Sequence, residues 1–167
     1  MVPLAVSQSR AESPFMNTQS VDTPVPARLI VCERTGSWAV ALRRELAAAG
    51  VHVHETRSVA ECWEVLARCP AGFLVVELTP AALDPLLGRM ASLEREFPLA
   101  RVAVVTERRF RDCQWLLREA GAVDFVVSPR ELSPLARAIV RHLEQAPEPP
   151  RSLTERIWAG LPWGRRA

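Results

Sequence analysis

Gly121-Ala122-Val123-Asp124-Phe125-Val126-Val127-Ser128-Pro129 is the stretch that decides how this chain folds. A glycine able to end a helix, a short apolar run of strand length and a Ser-Pro stop follow one another with almost no spacer. That is how the last strand of an open parallel sheet is entered and left. Such a strand needs neighbours, which the residues upstream have to supply.

Working outward, residues 110–120 predict a helix with Cys113, Leu116, Leu117 and Ala120 inward and Trp115 on the opposite side with Arg111 and Arg118. Residues 129–144 predict another, burying Leu132, Leu135, Ala136, Ile139 and Leu143. Residues 101–106 alternate too little for a one-sided strand and read as buried on both faces. Before them, Leu83, Leu87, Met90, Leu93 or Glu94, and Phe97 mark a helix ending at Pro98, and residues 73–78 form an apolar strand closed by Thr79-Pro80. Ser58 caps a helix whose Val59, Cys62, Trp63 and Leu66 share a stripe, so Trp63 reads as core. Residues 51–56 are β-rich, and residues 37–49 place Ala39, Leu42, Leu46 and Ala49 inward before Gly50 stops the helix. Residues 29–32 supply the first strand. Five strands alternate with five helices, which demands right-handed crossovers and a parallel sheet covered on both sides, a three-layer α/β/α domain. Ligands belong at the carboxyl ends of its strands. Those corners are Cys32-Glu33-Arg34, Glu77-Leu78-Thr79, Thr106-Glu107 and Ser128-Pro129.

With 167 residues there is room for one such domain plus tails. Residues 1–26, rich in Ser, Pro, Thr and Gln, read as a disordered arm, residues 27–146 as the domain, and residues 147–167 as a Pro-rich linker with an amphipathic tail. In the tail Leu153, Ile157 and Trp158 lie near one helical face and Trp163 follows. A peptide of this kind docks on its own domain, on another protein or on an anionic membrane surface, and a protein is the expected site.

The net charge of +2 is too small to argue for nucleic acid, and the arginines are dispersed along the chain, so no nucleic-acid partner is expected. All 21 strongly basic residues are arginine and there is no tyrosine, which excludes mechanisms needing a Schiff-base lysine, a P-loop lysine or a tyrosine acid. Cys32, Cys62, Cys69 and Cys113 show no C-x-x-C spacing and fit a reduced cytosol. With His52 and His54 they make no tetrahedral set, so no metal and no cofactor are expected. No run of 18 apolar residues and no leader pattern is present, so the expected location is the cytoplasm. Glu33-Arg34-Thr35-Gly36-Ser37 holds one glycine, too few for a phosphate loop, and helix capping accounts for Gly36-Ser37.

The four corners resemble the receiver domain of two-component response regulators over residues 28–145. The most specific part is 121–129: family members carry Gly-Ala-x-Asp-(Tyr or Phe)-x-x-Lys-Pro, matched here everywhere except at the lysine. The resemblance implies a flavodoxin-like fold, a five-stranded parallel sheet in the order 2-1-3-4-5. It also implies a pocket in which an aspartate ending the third strand accepts a phosphoryl group, with Mg²⁺ held by that residue and an acidic pair. A Thr or Ser and a Lys bind the phosphoryl oxygens. At the matching positions this chain has Cys32 and Glu33 for the acidic pair, Glu77 for the acceptor, Thr106 for the hydroxyl and Ser128 for the lysine. Glu107 replaces the small residue after the hydroxyl.

A hydrogen bond to a charged group contributes on the order of 1.5 to 3 kcal/mol, so the missing lysine alone removes roughly 10- to 100-fold in phosphoryl stabilisation. Glutamate displaces its carboxylate by one methylene, which catalysis by positioning tolerates poorly. The expectation is a phosphorylation-incompetent receiver-like signalling adaptor, not an enzyme. The alternatives are an atypical phosphoryl acceptor at Glu77 or a constitutive switch in which Glu77 holds Thr106 inward. Glu33, Glu77 and Glu107 also admit a plainer reading, as solvated carboxylates paired with Arg34 or Arg108. Function then falls to surfaces. In the family the face of the fourth helix, fifth strand and fifth helix meets protein partners or a second copy. Here it would offer Phe110, Arg111, Trp115, Arg118, Phe125, Arg137 and Arg141.

Overall fold

The computed structural model describes residues 26–147. The N-terminal arm, apart from Pro26, and the tail with Leu153, Ile157, Trp158 and Trp163 lie outside the described residues.

Strands β1 (Leu29–Cys32), β2 (Val53–Thr56), β3 (Phe73–Glu77), β4 (Arg101–Val105) and β5 (Ala122–Val126) alternate with helices α1 (Ser37–Leu46), α2 (Val59–Arg68), α3 (Leu83–Glu96), α4 (Gln114–Glu119) and α5 (Leu132–Gln145). The strands form one sheet in the order β2-β1-β3-β4-β5, every pair parallel, as the resemblance implied. The central strands are apolar throughout because both faces are covered. Leu74, Val76, Val102 and Val104 pack under α2, α3 and α4, whereas Phe73, Val75, Ala103 and Val105 pack under α1 and α5.

Local chemistry explains most boundaries. The Ser58 hydroxyl accepts the Glu61 N–H, and the Glu61 carboxylate reaches one residue past the cap to accept the Arg57 N–H, a variant of the capping box that ties down the start of α2. Before β3, a Cβ on Gly72 would stand 3.1 Å from the Cys69 carbonyl oxygen and 3.3 Å from that of Arg28, so any larger residue there would push two main-chain carbonyls aside. Gly121, at φ +102°, turns the chain out of α4 and into β5. In β5, Val102 pairs with Ala122 but Ala103 pairs with Asp124. Val123 is thus the extra residue of a bulge and points to solvent, which blunts the free edge of the sheet.

Several elements differ from expectation. Regular α1 stops at Leu46 and continues as a 3₁₀ turn over Ala47–Ala49, whose tighter winding rotates Ala49 out to solvent while Trp38 joins Ala39, Leu42 and Leu46 in the core. The helix expected from Phe110 is instead a 3₁₀ segment, Arg108–Cys113, followed by a short α4. In α3 the buried line is Leu86, Met90 and Leu93, with Leu83, Leu87 and Phe97 on its flanks.

Candidate functional site

At the carboxyl ends of β1 and β3 a cavity of about 430 Å³ is lined by the polar residues Cys32, Glu33, Arg34, Arg57, Ser58, Glu77 and Thr79 and by the apolar residues Val59, Ala60, Ala81, Ala82 and Pro85. The structure brings Cys32, Glu33 and Glu77 together there, while Thr106 and Ser128 stand on the neighbouring strand ends outside its lining.

Glu33 is 1% exposed, and its carboxylate is turned into the start of α1, where it accepts the N–H of Trp38 at 2.9 Å and of Ala39 at 2.5 Å. Gly36, the residue before the helix, has no side chain to cap it, so these orphan donors would otherwise stay unpaired. Glu77 accepts the Arg34 backbone N–H at 2.9 Å. Thr106 is buried and its hydroxyl donates to the Leu78 carbonyl at 3.2 Å; it is not bonded to Glu77. Ser128 caps the next turn, its hydroxyl accepting the Arg130 N–H at 3.3 Å. The reading of Glu33 and Glu107 as solvated partners of Arg34 or Arg108 is corrected in part: Glu33 is buried against α1, whereas Glu107 is solvated but pairs with Arg109 at 3.0 Å.

Burial pushes the Cys32 thiol above its ordinary pKa, and it stays protonated. Beside it the buried Thr56 hydroxyl makes no well-formed hydrogen bond and lies against the thiols of Cys32 and Cys62, the latter also raised by burial. Arg57 went unnoticed in the sequence. Its guanidinium donates to the Glu33 carbonyl at 3.2 Å and to Glu55 at 3.2 Å, and Glu55 is shared with Arg43. The hydrogen bond from Arg43, then the charges of both arginines, holds the Glu55 carboxyl below the usual range.

The Mg²⁺ that receiver pockets hold does not fit this set. One carboxylate is consumed by main-chain donors, the partner position is a protonated thiol, and two arginines line the space. Among the described residues no three His, Cys, Asp or Glu side chains come together as a metal site.

On the surface, Trp115 is 69% exposed and Arg111 and Arg118 are exposed with it. Arg118 binds Asp124, which also accepts the Phe125 N–H, so the aspartate of the 121–129 motif ties the middle of β5 to α4. Phe125 was expected on this surface but is 8% exposed and belongs to the core, because a covered sheet buries side chains of both parities. Phe110 is half-buried against the same core, with the Arg109 guanidinium 4.9 Å from its ring centre. Arg137 and Arg141 line the groove between α5 and α1 with Glu45 and Val140.

No family model and no curated protein matches the chain. Solved structures do match. A response regulator from Thermotoga maritima is 21% identical, covering 72% of this chain and 100% of its own, with a TM-score of 0.60. The CheY-like protein TadZ from Pseudomonas aeruginosa is 22% identical over 68% of this chain and 98% of its own, with a TM-score of 0.55. An orphan response regulator of H. pylori is 17% identical over 70% of this chain and 96% of its own, also at 0.55. Strand order, parallel pairing and these likenesses agree: the chain has the CheY-like fold of response-regulator receiver domains.

Proposed function

We propose that the protein is a receiver-like signalling component of the cytoplasm that has given up phosphotransfer and works as an adaptor through protein contacts. The observation that carries this reading is the buried Glu33 carboxylate, committed to the first turn of α1 and withdrawn from any metal. Positioning and charge stabilisation are nearly all that a phosphoryl-transfer site contributes, and this one has neither the metal ligands nor the lysine. Glu77 has one oxygen on a main-chain N–H and makes no hydrogen bond to Thr106, which weakens its case as a mimic of a phosphorylated residue.

Recognition falls to the surface around Trp115, Arg111 and Arg118, an exposed aromatic among arginines, the composition of an interface anchor. A second copy is one candidate partner; the receiver domain of NtrC4 forms a dimer in its beryllofluoride-activated state.

The test is incubation of the protein with acetyl phosphate and MgCl₂, followed by intact mass. No adduct is expected, and a stable acyl phosphate at Glu77 would establish the other reading, a phosphoryl-accepting switch. In parallel, Trp115→Ala should keep the fold and lose partner capture or self-association; unchanged association removes Trp115 from the account.

A further inference from the structure

We infer that the cavity at the ends of β1 and β3 has reversed its ligand preference: it rejects a divalent cation and takes a small organic anion with an apolar body, such as an aromatic carboxylate or sulfonate. This deepens the proposed function at the same site and rests on its loss of metal chemistry, but not on the Trp115 surface.

By formal count the polar lining is balanced, with Glu33 and Glu77 against Arg34 and Arg57. The two signs are not equally available. Glu33 is buried, both its oxygens receive main-chain N–H groups, and the positive end of α1 faces it. Glu77 has one oxygen occupied by the Arg34 N–H. Cys32 brings a neutral thiol where a second carboxylate would add charge.

The cations are less compensated. The exposed Arg34 has no side-chain partner among the described residues. Arg57 shares its counter-ion Glu55 with Arg43 and gives its other donor to a neutral carbonyl. A guanidinium in this state has donors left for a planar anion. The same lining holds Val59, Ala60, Ala81, Ala82 and Pro85, apolar surface that offers an ion nothing but excludes water from an apolar group. The volume, about 430 Å³, is in the range that holds small ligands. A lining that carries both uncompensated cations and apolar surface selects an amphipathic anion over a bare one.

The experiment is a titration of the ¹⁵N-labelled full-length protein, followed by amide shifts, with four probes used separately: naphthalene-1-sulfonate, neutral 1-naphthalenemethanol, sodium sulfate and MgCl₂. Naphthalene-1-sulfonate should give saturable shifts at the amides of Arg34, Ala60 and Ala82, and the other probes should give none there. Arg34→Ala retains the main-chain N–H to Glu77 and should weaken the sulfonate about tenfold. Ala82→Phe, which fills the cavity, should abolish it. A sulfonate that shifts no cavity amide, or binds Arg34→Ala as well as the unaltered protein, overturns the anion site and leaves the proposed function standing. Sulfate binding as tightly as the sulfonate overturns the need for an apolar body. Shifts with MgCl₂ that vanish in Glu77→Ala overturn both readings.

Discussion

The carboxylate of Glu33 reaches across the turn to the main-chain N–H of Trp38, 2.9 Å away, and serves α1 as the cap that Gly36 cannot provide. A residue that would be a metal ligand in a phosphoryl-transfer site is here part of the scaffold. Glu33→Ala is therefore expected to destabilise the domain by about 1 to 3 kcal/mol, the cost of leaving buried donors unpaired. Glu33→Gln, which keeps an acceptor, should cost less. Urea unfolding measures both. A carboxylate held only for a cation would behave oppositely, since removing it relieves repulsion with Glu77.

Restoring the two most conspicuous missing groups should not restore chemistry. Glu77→Asp shortens the side chain, loses the 2.9 Å contact with the Arg34 N–H, and leaves Glu33 committed to α1. Ser128→Lys adds a cation beside a space already lined by Arg34 and Arg57. The double variant, treated with acetyl phosphate and MgCl₂, is expected to stay at its unmodified mass. An adduct of one phosphoryl group would mean that Glu33 can leave the helix and serve a metal.

The scaffold was legible wherever a local rule acts alone. Ser58 announces α2, and the unbroken apolar runs of β3 and β4 announce a sheet covered on both sides. What escaped depends on geometry that no spacing encodes. Ala49 leaves the core because the last turn of α1 tightens to 3₁₀, and Phe125 enters it because both faces of β5 are partly covered. In the site, residue types could be placed at strand ends, but Glu33 was read as a rim carboxylate because the N–H groups that donate to it lie five and six residues ahead, across a turn. The signal was available: a helix start without a capping side chain, preceded by an acid long enough to reach back. Arg57 lies just before a helix cap, and nothing in sequence joins it to the Glu33 carbonyl.

Two tryptophans separate surface from core. Trp63 is 4% exposed within the cluster under α2 and α3, whereas Trp115 is 69% exposed on α4. Trp63→Ala should cost about 3 to 5 kcal/mol, and Trp115→Ala about 0.5 kcal/mol or less. Urea unfolding of the two variants, monitored by circular dichroism, decides it. A Trp115 variant that unfolds as readily as the Trp63 variant would make Trp115 a packing residue and remove it as an anchor.

Composition gives the domain an alkaline limb governed by its thiols. With no lysine and no tyrosine, cysteines and the amino terminus are the groups that titrate between about pH 8 and 12. Burial raises the thiols of Cys32, Cys62 and Cys69 above their ordinary value. The folded state thus holds those protons after the unfolded chain has begun to release them. The stability these groups contribute is fully present below the unfolded thiol pKa, about 8.5, and is lost as pH climbs from there toward the folded values. Each thiol adds at most about 1.4 kcal/mol per pH unit to that loss. Urea midpoints measured under reducing conditions should be level from pH 7 to about 8.5 and fall beyond it. Cys62→Ala should start lower at pH 7 because of lost packing, yet decline less steeply above the bend. A curve that stays level to pH 10.5, or a variant with an unchanged slope, would mean that these thiols do not set the alkaline limit.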